Sequence, residues 1–399
     1  MKKRLFILLV MMIFLISIFA LASCDKNDEK EAPYVPTFTS VRAKNVADTI
    51  LSYPEAGVPS DVYYVDEFDT TDINVREGQN SNTHIQGISR YKNFMVVAIN
   101  GNYEIRKNAI LLILKDGAGI VQRIETPLHI EDPELDVAHA SGFQITGDYL
   151  FMVTSWHGFS ANRGSDLLVV YDLSPLQFGG EAQLYHVSAM NGLPNTLGIS
   201  TVKKDGVELL VWAGPDGNIR TSPVPTRKPD DVYDNVFNWT QVDKTADSVE
   251  TAPLDAQSCA MVTDENEELF FFKLCNTDSG GVFNRYEDFI AVYKIELVDG
   301  KAKYTEVVEP KFQVPFKAFA ISILPATFRF AGTVEVKENG DIWTYSTVTI
   351  PYSEATHALY YPLNYIPQYE KYIAGEIEEP PILEFQFNIW RVEEEETES

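Results

Sequence analysis

A short pattern recurs five times along this chain: a polar residue, two variable positions, a small residue, then a strand, a turn and a strand. It reads His84-Ile85-Gln86-Gly87, His139-Ala140-Ser141-Gly142, Asn195-Thr196-Leu197-Gly198, Asp255-Ala256-Gln257-Ser258 and Arg329-Phe330-Ala331-Gly332. Successive small residues are 55, 56, 60 and 74 positions apart. A period of this size, each holding several short strands, is the sequence signature of a β-propeller, because one such unit cannot bury its apolar faces alone. The expected fold is therefore all-β, with five four-stranded blades. A sixth blade is the alternative, and it would have to lie in the Pro- and Tyr-rich segment after Tyr345.

Each repeat divides into runs rich in β-branched and aromatic residues, bounded by Gly, Asn and Asp. The first blade is predicted at 85–90, 94–99, 109–114 and 120–125, and the second at 142–145, 149–154, 167–172 and 183–187. The third is predicted at 197–202, 208–213, 218–224 and 239–242, and the fourth at 258–262, 269–274, 289–297 and 303–308. A fifth begins with 332–336 and 342–345, takes 385–392 as its third strand, and is completed by 62–68 from the other end of the chain. That overlap leaves no open sheet edge, which a closed β architecture requires. The small residue fits the first strand of each blade, where backbones converge on the axis and a Cβ costs space.

Register places His84, His139, Asn195, Asp255 and Arg329 three residues before the small positions, as a polar ring at one mouth of the central channel. Turns between first and second strands are tight, whereas the second-to-third connections 100–108, 155–166, 275–288 and 346–384 are long. These long loops project at the mouth carrying the ring, and binding residues tend to sit on loops held by a rigid scaffold. The candidate binding side chains there are Tyr103, Trp156, His157, His357, Tyr360 and Tyr361. Aromatic rings beside hydrogen-bonding groups suit a glycan, a peptide or another amphipathic ligand. Packing of the long loop against the disc is the alternative role for the tyrosines.

Three chemistries fit the ring. His84, His139 and Asp255 are proper ligand types for a divalent ion that would assist hydrolysis, although Arg329 opposes a cation there. Glycoside cleavage needs two facing carboxylates, and Asp255 with the deeper Glu335 makes an unconvincing pair. A hydrated channel whose side chains satisfy one another is the third. No cofactor is expected, and no nucleophile elbow, phosphate loop or dinucleotide fingerprint occurs. The reading is therefore a non-enzymatic module that binds a ligand or protein partner on the long-loop face. A cell-envelope hydrolase, metal-dependent or not, working at the channel mouth is the alternative.

The N-terminus speaks to location. Lys2, Lys3 and Arg4 precede an apolar run ending in Leu21-Ala22-Ser23-Cys24. A run of this length is short for a membrane span and has the layout of a cleaved signal peptide. Its last four residues resemble the lipobox of bacterial lipoproteins, which implies acylation of Cys24, export and an anchor at the cell envelope, on the periplasmic face or the cell surface. The expected organisation is a signal peptide at 1–23, an acidic tether and lead-in at 24–60, the propeller at 61–392 and an acidic tail at 393–399. The His-x-x-Gly strand openings also resemble those of several secreted bacterial propeller families, lipoproteins among them, a likeness that transfers no catalytic residue. Loss of Lys2, Lys3 and Arg4 takes the formal charge from −26 to −29. Such a surface repels phosphate backbones, so nucleic acid is excluded as a partner. Cys259 and Cys275 lie in one predicted hairpin; with its tip at Glu265-Asn266, Cys259 faces Phe272, and both are expected as free thiols.

Overall fold

The computed structural model describes residues 34–53, 61–68, 85–99, 109–116, 118–126, 139–155, 166–190, 197–214, 217–225, 237–246, 258–276, 288–311, 326–327, 332–348, 350–354, 357–361, 375–376 and 383–392. Met1–Pro36 and Thr37–Ser399 are separate units, and the fold belongs to the second. One short helix, α1 (Val46–Leu51), precedes β1 (Asp61–Phe68).

Four antiparallel sheets follow, each built from four strands in chain order. The first holds β2 (Ile85–Tyr91), β3 (Phe94–Ile99), β4 (Ile110–Lys115) and β5 (Gly119–Glu125). The second holds β6 (His139–Thr146), β7 (Tyr149–Ser155), β8 (Asp166–Asp172) and β9 (Gln183–Met190). The third holds β10 (Gly198–Lys204), β11 (Val207–Ala213), β12 (Ile219–Pro223) and β13 (Thr240–Val242). The fourth holds β14 (Ser258–Thr263), β15 (Leu269–Asn276), β16 (Asp288–Val298) and β17 (Lys301–Lys311). The chain ends meet in a closing sheet of β18 (Ala326–Thr327), β19 (Thr333–Val336), β20 (Ile342–Val348) and β23 (Leu383–Trp390), completed by β1. Between β20 and β23 a free hairpin forms from β21 (Ile350–Glu354) and β22 (His357–Tyr361).

The first strands pack in a ring: β2 on β6, β6 on β10, β10 on β14, β14 on β19, and β19 back on β2. This is a β-propeller arrangement. The expected count of five uniform four-stranded blades is corrected to four, because the closing sheet holds five strands. The seven residues of β20 outrun the four of β19; β19 pairs Ile342 to Tyr345, and the backbone groups left over at Thr347 and Val348 are taken up by β18. Among the described residues there is no sixth four-stranded blade; after Tyr345 the chain makes the hairpin β21–β22 instead.

Burial explains which runs became inner strands. Every residue of β3 is buried, and in β4 only Lys115 is exposed, whereas β5 alternates between half-buried and exposed. The middle strands are thus apolar on both faces because each sheet is sandwiched between neighbours. The apolar layers lie between sheets: Val96, Leu111 and Phe143 between the first and second, and Phe151, Leu210 and Trp212 between the second and third. Val211, Phe271 and Tyr304 lie between the third and fourth, and Phe272, Val292 and Val334 between the fourth and the closing sheet. The small residues fall where the repeat requires them. A Cβ on Gly198 would sit 2.9 Å from the backbone carbon of Ala260 on the next first strand.

One register differs from expectation. Cys259 lies opposite Lys273 rather than Phe272, because the turn runs from Asp264 to Glu268, one residue longer than the tip at Glu265-Asn266 implies. Asp264 Oδ1 accepts from the Asn266 and Glu268 N–H groups and holds that longer turn. Cys259 is a buried free thiol. Cys275 lies opposite Phe289 on β15.

Candidate functional site

The end of the ring carrying the tight turns is crossed by residues 37–53, a segment that sequence reading placed within the tether and lead-in. Thr37 N–H donates to Asp148 Oδ2 at 2.7 Å, and its carbonyl accepts from Asp148 N–H at 2.7 Å. Phe38 stacks on Tyr149 with ring centroids 3.7 Å apart and 7° between planes. Ser40 Oγ shares a hydrogen bond with Thr146, accepts from Ser200 Oγ and from Thr201 N–H, and so ties the second blade to the third. Arg42 then grips Glu267 through two parallel 2.9 Å bonds, the fork geometry that a guanidinium favours. Burial opposes ionisation of Glu267, but the bonds from Arg42 and the Lys203 N–H outweigh it and hold the carboxyl below its usual range.

Ala43 adds a parallel bridge to Asp264, and Lys44 N–H donates to Gly340 O at 2.9 Å. Helix α1 follows and buries Val46 and Ile50, four apart on one face, against the fourth blade and closing sheet. Tyr53 finishes the strap, donating to Ile342 O at 2.9 Å from a buried position that pushes its phenol well up. The i, i+4 pair Val46/Ile50 and the aromatic Phe38 were the signals in the sequence that this stretch is packed rather than solvated.

Beneath the strap a half-open cavity of about 610 Å³ occupies the axis. Its inner end is built by Gln144, whose amide spans three blades: Oε1 accepts from Ile199 N–H at 2.7 Å and Met261 N–H at 2.9 Å, and Nε2 donates to Met261 O at 2.8 Å. Its polar walls include Ser89, Tyr91, Thr146, Asp148, Ser200 and Glu335, interleaved with Ile199, Met261 and Val334. Both oxygens of Asp148 are engaged, Oδ2 by Thr37 and Oδ1 by the Tyr91 hydroxyl at 2.7 Å. Glu335 Oε2 accepts from Lys337 Nζ at 2.8 Å and from the Tyr345 hydroxyl at 2.5 Å. Burial, and after it the charge of Glu335, hold the Tyr345 phenol well above its usual value. Arg90 pairs with Asp116. The wall charges of Arg90, Lys337 and Glu335 are thus each met by an opposite charge of the protein.

Of the five ring residues singled out in the sequence, His139 is described, and it lies at the other end. His139 opens β6 opposite Ser155, at the end of that strand remote from the tight turn. His84, Asn195, Asp255 and Arg329 lie outside the described residues, as do Tyr103, Trp156, His157 and Cys24, so the ring and the long-loop set are not brought together by anything described. His357 lies opposite Glu354 in the hairpin, Tyr360 opposite Pro351 and Tyr361 opposite Ile350. Two of the small positions meet directly, since Gly332 N–H donates to Ser258 Oγ at 3.2 Å. Among the described residues no group of three His, Cys, Asp or Glu could hold a metal ion, and two of the three expected ligands are not among those residues. No helix among them is long and apolar enough to cross a membrane.

No protein-family model matches this chain, and no curated protein does. Several solved structures resemble it in outline. An exo-1,5-α-L-arabinanase from a bovine ruminal metagenomic library is 9% identical, with 70% of this chain and 92% of that one covered and a TM-score of 0.36. A structure from the GH130 family of mannoside phosphorylases is 12% identical over 79% of this chain and 92% of that one, with a TM-score of 0.37. A thermostable family-43 glycoside hydrolase is 10% identical over 69% and 86%, with a TM-score of 0.30. At such values the likeness carries no functional weight, and the reading below rests on the site.

Proposed function

We propose that this protein is a non-enzymatic binding module of the cell envelope, held through an acylated Cys24, which offers the long-loop end of its propeller to a protein, peptide or glycan partner. The observation that supports this is the fate of the opposite end. There the chain's own strap crosses the channel, and the carboxylates Asp148, Glu267 and Glu335 are each taken up by protein donors. Acid–base catalysis needs carboxylates within hydrogen-bond reach of substrate rather than of the scaffold. Recognition at the long-loop end would then fall to residues such as His357, Tyr360 and Tyr361, which share the β21–β22 hairpin.

Elemental analysis of the purified protein beside a His84→Ala, His139→Ala double variant tests the reading. The expected result is no stoichiometric divalent metal in either. Metal in the parent that disappears in the variant would overturn it in favour of a metal-dependent hydrolase. Mass spectrometry of the membrane-extracted protein is expected to find lipid on Cys24; Cys24 unmodified and still joined to Ser23 would remove the anchor.

A further inference from the structure

We propose that the strap end of the propeller rests on the lipid bilayer that carries Cys24, so that the long-loop end is turned away from the membrane; this rests on the acylated anchor proposed above. The chain enters the propeller at Thr37, thirteen residues after Cys24, and Thr37 lies at the strap end. At about 3.5 Å per extended residue, the anchor can be no more than about 45 Å from that end. A link this short keeps the strap end at a high effective concentration near the bilayer, where contacts too weak to bind alone take hold.

The exposed apolar side chains fall on the same end. Phe178, in the connection between β8 and β9, is 68% exposed. Val207 follows the tight turn after β10, and Leu297 and Val298 precede the turn into β17. Val121 lies near the start of β5, and Val392 follows β23, whose Trp390 is opposite Thr344 on β20. The strap adds Val41 and Leu51. Each of the five sheets thus supplies one such residue or a pair, and among the described residues of the propeller unit no large apolar side chain is exposed at the other end. They are spread round the disc rather than gathered into a groove, which suits a broad, deformable lipid surface better than a protein of fixed shape. Lys92, Lys204 and Lys301 stand exposed at the same turns, with stems long enough to lie along an apolar layer while their ammonium groups stay among headgroups. Asp205 and Asp299 share those turns, so the face is of mixed charge and the contact does not call for anionic lipid.

Tryptophan quenching tests the proposal, with the membrane-extracted protein reconstituted into phosphatidylcholine vesicles in which about half of the lipid is brominated on its acyl chains. Phe178→Trp and Leu51→Trp place probes at the strap end, and Glu125→Trp places one at the exposed far end of β5. Subtracting the parent's fluorescence isolates each probe. Brominated lipid is expected to lower the signal of the two strap-end probes about twofold or more and to leave the Glu125→Trp signal unchanged. Phe178→Asp combined with Val298→Asp, both at exposed positions, is expected to cut the quenching of the Leu51→Trp probe about twofold or more. Quenching alike at both ends, or unchanged in the folded double variant, would overturn the proposal. No quenching at the strap end would also overturn it, and would leave that face to a protein partner or a second copy of this chain. The mass of Cys24 in the same sample separates two failures. Lipid on Cys24 with no quenching of Leu51→Trp overturns the orientation and leaves the anchor standing, whereas a bare Cys24 overturns both.

Discussion

Among the described residues His186 is a buried imidazole with no hydrogen-bond partner on either ring nitrogen, and it makes the stability of the second blade depend on pH. The residue lies on β9 opposite Val170, is 1% exposed, and meets the Phe237 ring edge-on at 5.2 Å and 78°. None of the described residues stabilises a positive charge there, and burial lowers its pKa from the ordinary 6.5 to about 4. As pH falls below 6.5 the unfolded chain takes up a proton at this position while the folded chain does not. Stability is therefore lost through the window from 6.5 down to about 4, and the loss levels off below it. At 1.36 kcal/mol per pKa unit the full effect is about 3 kcal/mol, a large share of the 5–15 kcal/mol typical of a domain. Denaturant unfolding followed by circular dichroism at pH 7, 6, 5 and 4 measures it in the parent and in His186→Leu. The leucine variant carries its own pH-independent packing change, which cancels when each protein is compared with itself. Every other titrating group is common to both. The parent is expected to lose about 3 kcal/mol more than the variant between pH 7 and pH 4. Parallel curves for the two proteins would refute the reasoning, and would mean that His186 is solvated or paired in solution.

Two further substitutions probe the strap and the axis. Gly147 has a φ of +56°, and a Cβ there would lie 2.1 Å from the Thr37 carbonyl oxygen; Gly147→Ala is expected to cost about 2 kcal/mol or more and to make residues 37–44 susceptible to limited proteolysis, and a variant as stable and as resistant as the parent would contradict the close approach. Gln144→Leu strands three backbone groups on two blades at once, the Ile199 and Met261 N–H groups and the Met261 carbonyl, so a loss of about 3–5 kcal/mol is expected in thermal or denaturant unfolding; a loss under 1 kcal/mol would show that water replaces the amide.

Much of the fold was legible because the propeller repeats its chemistry. Gly87, Gly142, Gly198 and Ser258 each lie in the first strand of their sheet, and Gly332 lies immediately before β19, since convergence on an axis imposes the same demand for a small side chain every time. The pairing of β1 with β23 also follows from a local rule, that an unpaired edge be covered. What failed was arithmetic on non-repeating pieces. The longer turn at Asp264 depends on a side chain accepting two backbone N–H groups, and β18 depends on a strand outrunning its partner; neither leaves a periodic trace.

The strap was missed for a related reason, and it matters most for function. Its contacts are made singly, residue by residue: Thr37 with the second blade, Ser40 with the second and third, Arg42 with the fourth, Lys44 with the closing sheet. No residue in it recurs with the blade period, and hydropathy alone reads Thr37-Phe-Thr-Ser40 as a continuation of the polar lead-in. Yet a segment that touches four sheets through mostly polar groups adds a constraint that no pair of blades supplies by itself. It fixes their mutual rotation at one end, and through Ser40 and the hydroxyls of Thr146, Ser200 and Thr263 that constraint reaches the residues just below Gln144. The cavity is lined by residues of both features, the amide across the axis and the strap across the mouth, as well as by the first strands. A pocket made this way is read from long-range register, and a single sequence carries that only where a repeat reports it.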